Sequence, residues 1–145
     1  MGDKIYIDDF NMTHATMRDK QYVCSGWFPE NEFTLKVRDR RCYILRLGKK
    51  RIGVMVFNLI FDMVPFLTLM HIEEPYQRKG YGTKAMARWE DDMRSLGYKM
   101  IMVSTQVNED GQHFYRKLGY KDMGGIVMDI PPFVQPMEMF LGKAL

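Results

Sequence analysis

Apolar and polar positions follow two different periods along this chain, and the switch between them outlines its elements. Cys42–Leu47 and Arg51–Phe57 are dense in β-branched, aromatic and aliphatic residues on either side of Gly48-Lys49-Lys50, a pattern that predicts two strands joined as a hairpin. Phe66–Ile72 reads as the next strand, started after Pro65, and a charged loop, Glu73–Lys79, follows. From Gly82 to Leu96 the spacing changes: Met86, Trp89, Met93 and Leu96 recur three and four apart, which predicts an amphipathic helix that Gly97 ends. Met100–Ser104 reads as a strand. Asn108 then caps a short helix with Glu109 and Asp110 in its first turn, Phe114 and Leu118 as its inward stripe, and Gly119 at its close. Tyr120–Ile130 and Pro136–Leu141 are expected as two final strands around Pro131-Pro132.

The N-terminal third gives weaker signals. Lys4–Asp9 reads as a short strand and Thr13–Val23 as a helix capped by Thr13. Trp27-Phe28-Pro29-Glu30 breaks it, and Glu30–Arg40 fits either helix or strand. Together these elements predict an α/β (α+β) protein, a mixed sheet with helices on its faces. No repeat or linker interrupts the 145 residues, so residues 1–145 are expected as one domain.

Composition narrows the classes. Hydrophobic residues make up 46% and charged residues 27%, which is globular and not disordered material. A net charge of +3 is too small to argue for nucleic acid, though it suits an anionic small molecule. The basic stretch from Lys36 to Arg51 is interrupted by Asp39 and reads as a solvated hairpin and its approach. Cys24 and Cys42 are too few for a disulfide framework, so a reduced, cytoplasmic setting is the default, with one bridge left open. His14, His71 and His113 stand far apart, and no metal is expected. Met1–Tyr6 has no apolar signal core, and Val54–Ile72 is broken by Asn58, Asp62 and Pro65, so no membrane span is expected. Trp27, Phe28 and Phe33 read first as core, with an acceptor pocket as the alternative. Ile60–Phe66 reads as a pocket lip or a homodimer contact.

The chemistry concentrates between the third strand and the long helix. Gly80-Tyr81-Gly82 lets the backbone approach a ligand, and the helix start beyond it offers free N–H groups and a positive dipole end to a phosphate. Arg78, Lys79 and Thr83 add charge and a hydroxyl. A plain turn into a helix is the bland alternative. A dinucleotide loop fits Gly80-x-Gly82-x-x-Ala85, but a long polar stretch separates strand from glycine, and the next strand ends in Ser104-Thr105-Gln106 without a ribose-binding acid. Gly80-Tyr81-Gly82-Thr83-Lys84 lacks the Walker spacing.

Gln77-x-x-Gly80-x-Gly82 after a strand resembles the pyrophosphate signature of the GCN5-related N-acetyltransferase (GNAT) superfamily. Asn108 followed by Phe114-Tyr115-x-x-x-Gly119-Tyr120 is similar to that superfamily's later motif. The resemblance is clear from about Arg51 to Tyr120, while residues 1–40 carry none of its motifs. It implies a sheet of about six to seven strands that splays between two parallel strands, here Phe66–Ile72 and Met100–Ser104. It implies acetyl-CoA as co-substrate, with the pantetheine arm along the backbone of Met70, His71 and Ile72, and the pyrophosphate on Gln77, Arg78, Lys79, Gly80, Tyr81, Gly82 and Thr83. Asn108 matches a residue that contacts the arm, and Tyr115 matches the acid that protonates the leaving thiolate. The implied activity is transfer of an acetyl group to a primary amine on a small molecule or peptide; an acyl-CoA sensor of the same fold is the alternative. The strand glutamate of some relatives and the one before Asn108 in others are both absent here. Glu73, Glu74 and His71 are the nearby bases, with Glu73 chosen and ordered water as the alternative.

Overall fold

A computed structural model describes residues 9–145; the strand read over Lys4–Asp9 lies outside the described residues except for Asp9. In chain order the elements are β1 (Phe10–His14), a 3₁₀ turn (Met17–Asp19), α1 (Lys20–Cys24), α2 (Glu30–Arg38), β2 (Cys42–Leu47), β3 (Lys50–Ile60) and β4 (Val64–Ile72). A second 3₁₀ turn (Glu74–Tyr76) leads to α3 (Tyr81–Ser95), β5 (Met100–Gln106), α4 (Gly111–Lys117), β6 (Lys121–Ile126), β7 (Asp129–Ile130), β8 (Phe133–Val134) and β9 (Glu138–Ala144). Seven strands form one sheet in the order β1-β2-β3-β4-β5-β9-β6, and β7 with β8 forms a separate pair. The sheet is mixed: β4 and β5 run parallel, in register at Phe66↔Met102 and Leu67↔Val103, whereas β1–β2, β2–β3, β5–β9 and β6–β9 are antiparallel.

The described residues divide into two compact units, one comprising residues 9–57 with Leu69–Ala87, the other Asn58–Thr68 with Arg88–Leu145. In the first, Phe33, Cys42, Ile44, Val54 and Val56 form the apolar core, and Tyr22, Phe28 and Leu69 pack on it partly buried. The helix expected over Thr13–Val23 begins later than its sequence suggests. Thr13 belongs to β1, opposite Ile44, and its hydroxyl accepts from Arg46 Nε. Thr16 is the cap: its hydroxyl accepts from Arg18 N, and Asp19 returns a bond to the Thr16 N–H, a reciprocal capping box. The ambiguous Glu30–Arg40 segment is helical to Arg38, where Arg40 takes the left-handed φ of 57° and Arg41 N bonds back to Lys36 O. Gly53 has no room for a side chain, since a Cβ there would lie 2.4 Å from His71 O. Glycine therefore lets β3 approach β4 at the residue before Ile72.

In the second unit Trp89, Met93, Ile101, Val103, Tyr120 and Leu141 are buried. Leu96 departs from the expected stripe and is 69% exposed, because α3 ends at Ser95 and Gly97 (φ 94°) turns the chain so that Tyr98 N meets Met93 O. β4 begins at Val64 with Pro65 inside it, one residue from the strand start, where a missing N–H is tolerated. The last segment is not two strands but four: Pro131-Pro132 turns the small β7–β8 hairpin between β6 and β9. Among the described residues, no helix is long and apolar enough to cross a membrane.

Candidate active site

The loop that leaves β4 carries the expected phosphate signature in a specific backbone form. Two residues of the loop take left-handed conformations, Arg78 at φ 60° and Gly80 at φ 87°. An arginine in that region is strained, as Arg40 also is at the end of α2. A Cβ at Gly80 would meet nothing within 4 Å, so the backbone there faces open space. Arg78, Lys79 and Thr83 are exposed around it. The first helical bond joins Lys84 N to Gly80 O at 3.2 Å, so the N–H groups of residues 81–83 precede the intrahelical ladder, as at any helix start. Gln77 pins the loop to the end of β4, its Nε2 donating to Ile72 O at 2.7 Å. Tyr81 stacks on Phe10, with ring centroids 5.4 Å apart, so its ring steadies the helix start.

On β4, side chains alternate between the two faces. Leu69 and His71 line a cavity of about 390 Å³ that Tyr22, Val23, Trp27, Phe28, Val54 and Glu73 also line. By the same alternation Met70 and Ile72 turn to the opposite face, and both are half-buried. Glu73 is fixed twice. Its N–H donates to Ile52 O at 2.8 Å, and its carboxylate oxygen Oε2 accepts a hydrogen bond from the Tyr22 hydroxyl. Tyr22 is fixed in turn by Arg51, whose guanidinium lies 5.7 Å from the Tyr22 ring centre and whose Nε donates to buried Asp19 at 2.8 Å. Burial first, and then the bond to Glu73, raises the Tyr22 phenol above its usual range, so Tyr22 stays protonated and donates. Sequence reasoning missed Tyr22. It stands 51 residues from Glu73, and no local spacing signals that pairing. Glu74 is exposed in the 3₁₀ turn.

The second unit holds the later motif. Asn108 does not cap α4; it stands exposed in the turn, and Asp110 occupies the cap position without a side-chain bond. Glu109 and Gln112 build the turn instead, with Glu109 Oε1 accepting from Gln106 N at 3.0 Å and Gln112 Nε2 donating to Val107 O at 2.8 Å. The inward residue of α4 is Tyr115, while Phe114 and Leu118 are only half-buried. Tyr115 meets Phe114 and Tyr120 edge-on, with centroids 5.2 and 5.7 Å away. Burial pushes its phenol up to about 12, which keeps it a proton donor at neutral pH. Gly119 (φ 94°) closes α4, and Tyr120 N returns to Tyr115 O at 3.1 Å. Behind this lies buried Glu90, which accepts from the Tyr120 hydroxyl at 2.8 Å and from Lys143 at 3.0 Å.

A mixed seven-stranded sheet with one parallel pair, a glycine loop after β4 and a tyrosine-bearing helix after β5 together define an α+β acyltransferase-like fold. The chain belongs to the acetyltransferase (GNAT) family, whose sequence profile it matches over residues 6–120. A search of curated proteins by sequence gives no match. Solved structures agree on the fold. Ard1 from Thermoplasma volcanium superposes with a TM-score of 0.78 at 11% identity, covering 94% of this chain and 98% of that one. The yncA putative acetyltransferase from Salmonella typhimurium, solved with its cofactor acetyl-CoA, gives 0.75 at 13% identity, with 95% of each chain covered. Arabidopsis thaliana Naa50, in complex with the bisubstrate analogue CoA-Ac-MVNAL, gives 0.74 at 12% identity, covering 94% of this chain and 99% of that one.

Proposed function

We propose that this protein moves an acetyl group from acetyl-CoA to a primary amine. Family membership supports acetyl-CoA as the donor, and the observation that carries the reading is the loop after β4. Left-handed Arg78 and Gly80, the open space at Gly80 and the leading N–H groups of α3 make a cradle that fits a pyrophosphate, with Lys79 and Thr83 beside it. In this reading the backbone of Met70, His71 and Ile72 receives the pantetheine arm by strand addition, since β4 runs on past Leu67, where it is in register with β5. A backbone N–H near Ile72 polarises the thioester carbonyl. Asn108, exposed in its turn, is free to reach the arm.

Acetyl-CoA, when bound, supplies an activated acyl carbon and a thiolate leaving group. Glu73 accepts the proton that the attacking nitrogen must lose, directly or through water. The neutral Tyr115 phenol offers its proton to the departing sulfur, whose conjugate thiol has a pKa of about 8.5 by analogy with cysteine. The donor assignment is tested by thermal shift. Saturating acetyl-CoA at a hundred times its dissociation constant should raise stability by about 2.7 kcal/mol, and NAD(P) should not. A shift with NAD(P) in place of acetyl-CoA would reject the reading. Binding without any turnover on an amine panel would favour the sensor alternative.

A further inference from the structure

We propose that the cavity beside β4 accepts one chemical class of amine, a singly charged primary ammonium on a compact apolar body, and that Tyr22 is the positioning residue that makes this so. The inference deepens the amine-transfer reading and rests on it for the amine's fate, but not for its binding.

Three observations converge, all within the first unit. Glu73 is the one carboxylate lining the cavity among the described residues, and its Oε2 is already committed to Tyr22. The hydrogen bond therefore fixes the plane of the carboxylate and leaves Oε1 to meet a cation. Val54, Leu69, Phe28 and Trp27 give the wall an apolar stretch, with the two rings 5.6 Å apart and Trp27 74% exposed, while Ser25 and His71 are its other polar lining residues beside Tyr22 and Glu73. An exposed indole beside a carboxylate offers both an apolar surface to cover and a π-face for an ammonium.

The surroundings discriminate against other amines. Lys50 lies 5.3 Å from the Tyr76 ring centre and within electrostatic reach of Glu73, and Arg51 lies 5.7 Å from the Tyr22 ring centre. A second ammonium on the ligand would find no further lining carboxylate to meet it, which works against polyamines. A ligand carboxylate would face Glu73 itself, which works against acidic amino acids. The cavity is about 390 Å³, enough for an arylalkyl or branched aliphatic body. Such a body could be a free arylalkylamine or an apolar N-terminal residue of a peptide.

The test is calorimetric titration of four probes into protein saturated with coenzyme A: phenethylamine, a short peptide beginning with Phe, spermidine and glutamate. Phenethylamine or the peptide should bind at least about tenfold tighter than spermidine and glutamate, and the tighter of the two names the source. Tyr22→Phe removes only the hydroxyl. It should weaken the preferred amine by about tenfold or more, as expected for losing a hydrogen bond to a charged group, while acetyl-CoA affinity stays unchanged. A merely structural role would move both ligands together. Gly26 also lines the cavity, and a Cβ there meets nothing within 4 Å, so Gly26→Leu introduces bulk at the wall from a backbone position with room for the first side-chain atom. It should abolish amine binding and keep the melting temperature. Equal or tighter binding of spermidine or glutamate, or an unchanged amine affinity in both variants, overturns the inference. Binding as expected with no thiol release would leave it standing and reject the transfer reading instead.

Discussion

The proposed reaction asks Tyr115 and Glu73 to do opposite things with a proton, and their surroundings differ. Tyr115 is buried among rings, and burial alone raises its phenol to about 12. Such a group gives a hydrogen bond readily and ionises with difficulty. Tyr115→Phe keeps the ring packing, so turnover should fall by about a hundredfold or more while acetyl-CoA affinity stays within about twofold. A steady-state measurement with separate titration of each substrate checks this. Glu73 instead is anchored at its backbone by Ile52 and at its side chain by Tyr22. Glu73→Gln should alter the pH–rate profile and lower turnover; an unaltered profile would assign deprotonation to water. The raised phenol of Tyr115 also carries a stability consequence. Its unfolded value is about 10, so its neutral form stabilises the fold below pH of about 10, and that contribution is lost as pH rises towards 12. Alkaline unfolding followed by circular dichroism should be less steep in this pH range for Tyr115→Phe.

At the scale of elements, the sequence reveals what local patterns determine. The β2 bounds and the α3 stripe through Met93 follow from period and composition, and the glycines that close α3 and α4 follow from their left-handed φ. Errors arise where a distant partner decides. Thr13 looks like a cap, but pairing with Ile44 makes it a strand residue and leaves capping to Thr16. Asn108 is a local exception: it looks like a cap too, yet its near neighbours Glu109 and Gln112 build the turn. The Tyr22–Glu73 pair is illegible in sequence because only folding brings α1 to the end of β4. Gly53 shows how a single strand residue shapes that end. A Cβ would lie 2.4 Å from the His71 carbonyl, and backbone cannot swing aside as a flexible side chain can. Gly53→Ala should cost about 2–3 kcal/mol and shift the His71–Glu73 segment, lowering activity beyond what the stability loss explains. Denaturant unfolding together with kinetics at a permissive temperature would separate the two effects.

At the scale of the whole molecule, the residues of the proposed reaction fall in both units. The first holds the glycine loop, the end of β4 and the Tyr22–Glu73 cavity; the second holds Asn108 and Tyr115. In the proposed reading, both the donor loop and the acceptor cavity lie in the first unit, and continuity in sequence alone separates the legible one from the other. The loop is contiguous in sequence, whereas the cavity draws on α1, its following turn, β3 and β4. The central proposal is transfer of an acetyl group from acetyl-CoA to an amine nitrogen. The most direct measurement is thiol release from acetyl-CoA in the presence and absence of an apolar primary amine, with the amine's mass recorded at the end. Amine-dependent release is predicted, one thiol for each amine that gains an acetyl group, with both signals lost together in Tyr115→Phe. Release at the same rate without amine, or no acetylated product in any arm while acetyl-CoA binds, would contradict it.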